Sequence, residues 1–191
     1  MNLNCKTQRD FTADEFKQLA HYRHKVFIDT LGWQLSTQDN IEIDQFDRAD
    51  TVYVTVKNAA GHICGCARLL PTTRPYLLSE IFPQLLNGQP APNSPDVWEL
   101  SRFASIDFTS STQSAHSNMS APATIDLLQA AISHAATQGA KRLIAVTVVG
   151  AERLLRKTGY KVRRAGPPMK VDGFWVVACW VKIYLRMTMF C

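Results

Sequence analysis

The chain lacks the patterns that would place it at once. No basic-then-apolar stretch opens it, which argues against a secretory leader. The longest apolar run, residues 174–181, is far too short to cross a bilayer as a helix. A cytoplasmic protein without membrane insertion is therefore expected. Cysteine is sparse and odd in number: five residues in a chain of 191, long enough to bury its own core, make no disulfide framework. Cys64-Gly65-Cys66 has one-residue spacing and no matching second pair, and the five histidines are scattered, so no metal site is implied. A glycine fingerprint for a dinucleotide, a P-loop and internal repeats are missing too.

What is present is ordinary in amount and unusual in placement. Hydrophobic content of 46% and charged content of 19% suit a globular protein, and the length suits a single domain over residues 1–191. The net charge of +5 favours an acidic partner, with nucleic acid, a membrane surface and an acidic protein all open. Thr12 and Glu15 form a capping box, flanked by Phe11 and Phe16 at staple positions, ahead of a helix that Gly32 stops. That helix puts Arg23 and Phe27 on one face. Residues 33–50 are acidic and without period. Strands are predicted over 51–57 and 62–70, a short helix over 77–82, a loop over 87–96 and a strand over 97–104. A Ser/Thr-rich surface loop over 109–120 precedes a long helix over 121–138, a buried strand over 143–149 and a short basic helix over 151–158. Final strands over 160–164 and 174–184 flank a Gly166-Pro167-Pro168 turn. The order predicts a mixed α/β domain with helices on the sheet faces.

Polar residues sit inside this apolar frame. Trp98-Glu99-Leu100-Ser101-Arg102-Phe103 reads as a buried strand, yet carries a carboxylate, a hydroxyl and a guanidinium; buried charge is costly unless paired or used. Arg23, Asp44, Asp47 and Arg68 form a second such set, interleaved with Phe27, Trp33 and Phe82. On a regular strand Glu99 and Ser101 face one way and Arg102 the other, unless a bulge intervenes.

Arg23-x-x-x-Phe27, Leu31-Gly32-Trp33, Asp44-x-x-Asp47, Tyr53, Gly65-x-x-Arg68-Leu69-Leu70-Pro71, Phe82-Pro83 and Trp98-Glu99-x-Ser101-Arg102-Phe103 follow one another in order. Over roughly residues 20–180 the chain resembles the acyl-homoserine-lactone (autoinducer, LuxI-type) synthases. The resemblance implies a GCN5-related N-acetyltransferase-like α/β/α sandwich with a V-splayed sheet. It implies S-adenosylmethionine and an acyl chain on acyl carrier protein as substrates, and no cofactor. Glu99 would be the general base, with Ser101 and Arg102 beside it. Arg23, Phe27, Trp33, Asp44, Asp47, Arg68, Phe82 and Phe103 would surround S-adenosylmethionine. For Arg68 and Arg102, bracing Asp44 and Asp47 competes with direct substrate contact. Leu100, Met119, Leu127, Leu143, Val146, Thr147, Val148 and Trp180 would line an acyl pocket between the sheet and the long helix, and residues 66–76 resemble members making medium, octanoyl-like chains. Lys141, Arg142, Arg153, Arg156, Lys157, Arg163 and Arg164 would face the acidic carrier protein. Alternatives are a plain acyl-CoA-dependent N-acyltransferase and a non-catalytic lactone- or nucleic-acid-binding module; no nucleic-acid motif supports the last.

Overall fold

The computed structural model describes residues 1–35, 37–109, 122–157 and 159–183. Among these residues eight strands form one sheet: β1 (Asn2–Thr7), β2 (Val52–Lys57), β3 (Ile63–Pro71), β4 (Val97–Ser105), β5 (Arg142–Val148), β6 (Val162–Arg164), β7 (Met169–Val171) and β8 (Phe174–Lys182). The helices are α1 (Ala13–His24), extended by a π-helical turn over Lys25–Thr30, α2 (Leu77–Glu80), α3 (Pro122–Thr137) and α4 (Val149–Lys157). The strand order is β1-β2-β3-β4-β5-β8-β6, with β7 also paired to β8. Among the described residues no helix is long and apolar enough to cross a membrane.

Helix α1 begins as its sequence dictates. Thr12 Oγ1 accepts from the Glu15 amide at 3.2 Å while Glu15 accepts from the Thr12 amide at 3.0 Å, and Phe11 meets Phe16 edge-on at 6.1 Å. Two strands escaped prediction. Strand β1 is polar and largely exposed, so it carries no apolar alternation; full antiparallel register with β2, Asn2 opposite Lys57 through Thr7 opposite Val52, holds it. Strand β7 is three residues long and exists through the turn at Asp172-Gly173, whose φ angles of +46° and +87° suit a tight hairpin. Helix α4 begins two residues earlier than expected, and β5 ends one earlier. The Ser/Thr-rich loop lies outside the described residues from 110 to 120, as does Tyr184.

The sheet has two buried faces. On one, Val54, Leu69, Leu100, Leu143, Ala145 and Val181 pack with Leu127, Ala131 and Ala135 of α3 and Leu155 of α4. On the other, Tyr53 and Cys66 pack with Leu19, Val26 and Phe27 of the first helix, and Leu70, Ile144 and Ala178 pack with Leu78, Leu85 and Leu86. This is the expected three-layer sandwich.

Two irregularities shape the centre. Strands β4 and β5 pair in parallel only from Val97 opposite Arg142 to Leu100 opposite Ala145. Beyond that point β4 continues to Ser105 along β3, and β5 continues to Val148 along β8. A wedge opens between them, walled by backbone amides without a strand partner across it. The second irregularity is a β-bulge: Cys66 pairs with Ala104 but Arg68 pairs with Ser101, so Ala67 opposes both Arg102 and Phe103. Arg102 adopts φ +49°, a left-handed conformation rare for a side chain of its size.

Candidate active site

The bulge decides which side chains meet. It turns Arg102 onto the face already occupied by Ser101 and Glu99, and sends Phe103 to the opposite face, against the α3 core. Phe103 is therefore separated from the S-adenosylmethionine set predicted for it. The other arginines converge from separate elements: Arg23 from α1 and Arg68 from β3. The irregular segment after the π-helical turn brings the acids.

Three guanidiniums and three carboxylates interlock there. Arg23 donates to Glu42 at 2.5 Å and to both oxygens of Asp47 at 2.8 and 3.0 Å. Arg68 donates to both oxygens of Asp44 at 2.6 and 3.0 Å, to Asp47 at 2.9 Å and to Ser101 Oγ at 3.1 Å. Arg102 donates to Glu42 at 2.9 Å and to Asp44 at 2.9 Å. The Tyr53 hydroxyl donates to Asp47. The charges balance one for one, which is how such burial is tolerated. Burial pushes the Glu42 carboxyl up, but Arg23 and then Arg102 outweigh it and hold it below its ordinary value. Burial likewise opposes ionisation of Asp47, and Arg23 and Arg68 override it downward. The Asp44 side chain alone among the six is appreciably exposed, at 21%, so it marks the open side of the cage.

Aromatic rings close the cage. Phe27 and Trp33 stack at 4.7 Å, and the Arg102 guanidinium lies 5.6 and 5.7 Å from their centroids. Arg68 lies 5.7 Å from Phe46. Phe82 sits apart, packed beside α2 with Leu78 and Leu85.

Glu99 is fully buried and, among the described residues, hydrogen-bonds to no arginine. Its two oxygens accept from the backbone amides of Leu77 and Leu78 at 3.0 and 2.7 Å, so it caps the start of α2 from the sheet. Burial lifts its carboxyl to about 7, with the Leu78 amide and then Arg68 pulling the other way. A carboxyl poised near neutrality is suited to exchanging a proton. Ser101 is engaged by Arg68 and positions it.

The predicted acyl-pocket residues divide between the two faces. Leu100, Leu127 and Leu143 are sealed in the α3 core, whereas Val146 and Trp180 pack on the opposite face with Ile144 and Ala178. Alternation along β5 puts Thr147 with the first group and Val148 with the second. One pocket between sheet and helix cannot be lined by both groups. Met119 lies outside the described residues.

The basic set divides as well. Glu152 of α4, itself buried, accepts from Arg156 at 2.9 Å and Arg164 at 2.6 Å, so one carboxylate is shared by two guanidiniums and one positive charge is left over. Lys141 pairs with Asp96 at 2.7 Å. Arg142 and Arg163 instead line a cavity of about 650 Å³ with Arg156, Lys161 and Lys182, and Arg142 lies over Trp180 at 4.9 Å. Arg153 is exposed; the Lys157 side chain lies outside the described residues.

Glu42, Phe46 and the Leu77 and Leu78 amides were not anticipated. Glu42 had a signal: three arginines among buried strands and helices require a third acid, and it stands two residues before Asp44.

The chain is similar to known proteins over nearly its whole length. Residues 7–183 match the model of the autoinducer synthase family. An acyl-homoserine-lactone synthase of Acinetobacter nosocomialis is 49% identical over 96% of this chain and 100% of its own length. The crystal structure of TofI, in a ternary complex with an inhibitor and MTA, superposes with a TM-score of 0.83 at 46% identity, covering 96% of this chain and 92% of that one. The CoA-dependent acyl-homoserine lactone synthase BjaI, with SAM and isopentyl-CoA, gives 0.83 at 25% identity over 96% and 84%. An acyl-CoA N-acyltransferase from Pseudomonas aeruginosa, at 14% identity and a TM-score of 0.64 over 94% and 97%, shares the fold. The chain belongs to the autoinducer synthase family.

Proposed function

We propose that the chain is an acyl-homoserine-lactone synthase that takes a medium, octanoyl-like acyl group from acyl carrier protein, joins it to the amine of S-adenosylmethionine and closes the lactone, releasing methylthioadenosine. The observation that carries this reading is the juxtaposition of the wedge, Glu99 poised near neutrality, and a charge-balanced cage under an aromatic stack.

The amine must lose a proton before it attacks the thioester carbon. Glu99, with both oxygens already held by amides, accepts that proton through a water on its remaining lone pairs. The tetrahedral oxyanion then meets the unpaired amides of the wedge, and the carrier leaves as the thiol. In the second step the methionine carboxylate displaces the sulfonium; a C–O bond forms, the C–S bond breaks, and methylthioadenosine departs uncharged. The stacked Trp33 face suits the sulfonium. Since Arg23, Arg68 and Arg102 are already bound by carboxylates, their main part is to hold the segment carrying Trp33 and Asp44 in place.

Incubation with S-adenosylmethionine and either octanoyl carrier protein or octanoyl-CoA, read by mass spectrometry, tests the reading. Octanoyl-homoserine lactone and methylthioadenosine in equal amounts are expected, with the carrier protein the better donor. A plain N-acyltransferase would release no methylthioadenosine. No lactone from any of a series of short-, medium- and long-chain donors would sink it.

A further inference from the structure

We propose that the tip of the β7–β8 hairpin, through Trp175 and Lys170, is where the acidic protein that brings the acyl donor docks; this rests on the carrier-protein reading above. Among the described residues, three of the large exposed hydrophobic side chains lie in this hairpin, on both sides of its ribbon: Met169 and Phe174, each 37% exposed, on the face of Val176, and Trp175, 59% exposed, on the other. The Asp172-Gly173 turn holds the tip firmly, with both residues at positive φ. Isolated exposed apolar residues need no explanation, but several in one short hairpin mark an interaction site.

Position and charge identify the partner. Val176 pairs with Val148, the last residue of β5, so Trp175 stands one residue beyond it, at the end of the sheet where the wedge opens. Alternation along β8 puts Trp175 on the face of Cys179 and Val181, the face covered by α3 and α4. Helix α4 starts at Val149, directly after Val148. Lys170 is the cross-strand partner of Trp175 and shares its face. Exposed Arg153 adds a cation on α4, against the single exposed carboxylate of Asp172 in the turn, and the chain carries a net +5. A donor whose thioester hangs on a flexible arm must stand at the wedge mouth for that arm to enter. An indole beside a lysine there fits an acidic protein with an apolar contact, since buried tryptophan commonly anchors interfaces and the cation steers the approach.

The test measures binding of unacylated holo acyl carrier protein by anisotropy, alongside turnover with octanoyl carrier protein and with octanoyl-pantetheine, the arm without its protein. Trp175→Ala and Lys170→Glu are each expected to weaken carrier binding about tenfold and to raise KM for octanoyl carrier protein by a similar factor. Turnover number and kcat/KM for octanoyl-pantetheine should stay within twofold. Unchanged carrier binding in both variants overturns the proposal, as does equal loss on the two donors. So does a wild-type dimer that Trp175→Ala makes monomeric, or loss of binding to anionic phospholipid vesicles with carrier binding retained. If the wild type makes no lactone, the synthase reading fails, while the binding measurement still decides the docking site.

Discussion

Glu99→Gln separates the charge of the buried carboxyl from its hydrogen bonds, and its effect on stability can be worked out. In the wild type both oxygens accept from amides, Leu77 on one and Leu78 on the other. Glutamine offers one acceptor and one donor, so an NH2 must face an amide N–H, a mismatch that costs about 1–3 kcal/mol at any pH. Against this runs a pH-dependent gain. Folding raises the Glu99 carboxyl from 4.5 to about 7, so the folded state holds a proton that the unfolded chain has already released. Wild-type stability is then full below the unfolded value and declines as pH rises through the folded one. The whole difference is about 3 kcal/mol at about 1.36 kcal/mol per pH unit, with about 2.5 kcal/mol of it falling between pH 5 and pH 8. Urea unfolding of both proteins at those two pH values isolates the term, since the other titrating groups are common to both. The stability of the variant relative to wild type should rise by about 2.5 kcal/mol from pH 5 to pH 8. Curves that keep a constant separation would refute the reasoning, and with it the claim that Glu99 is poised near neutrality. In the same proteins the rise in kcat/KM near pH 7 should be present in the wild type and absent from the variant.

Other consequences are open to measurement. Glu42→Gln leaves Arg23 and Arg102 short of a buried countercharge and should cost about 3–5 kcal/mol in urea unfolding, with activity falling at least tenfold. Tyr53→Phe removes the hydroxyl that donates to Asp47 and should cost about 1 kcal/mol, seen as a lower urea midpoint with unchanged slope. Gly166→Ala would set a Cβ 2.6 Å from the Leu85 carbonyl oxygen, and should lower stability by about 1–3 kcal/mol; a thermal melt within one degree of wild type would contradict it.

The fold was legible wherever local chemistry is strong. The Thr12–Glu15 box, the Phe11–Phe16 staple and the β-branched run of β5 each announce their element. Strand β1 could not be read, because it is held by pairing with β2 and not by any preference of Asn2 to Thr7. The site was legible as a set of residues but not as a geometry. Arg102 and Phe103 differ by one position, and which of them joins Glu99 depends on a bulge that no residue type signals; a glycine would have flagged it, and an arginine stands there. Glu99 illustrates a second gap: its partners are backbone amides, which have no identity in a sequence. The acyl-lining set is spread over both faces of the sheet because apolar residues on adjacent positions of β5 look alike and face opposite ways.

The short pairing of β4 with β5 makes the sheet two plates joined by a seam of four residue pairs. Helix α3 packs on β1 to β4, while α4 packs on β5, β6 and β8, so each plate has its own backing helix. The angle between the plates is consequently set away from the gap they enclose. One such distant fastening is Gly166, lying against the carbonyl of Leu85, in a segment that joins α2, packed on β4 of the first plate, to β8 of the second. If the gap takes the acyl chain as proposed, a residue that meets neither substrate can govern how wide a chain it admits, and a search for chain-length determinants confined to the walls would pass it by.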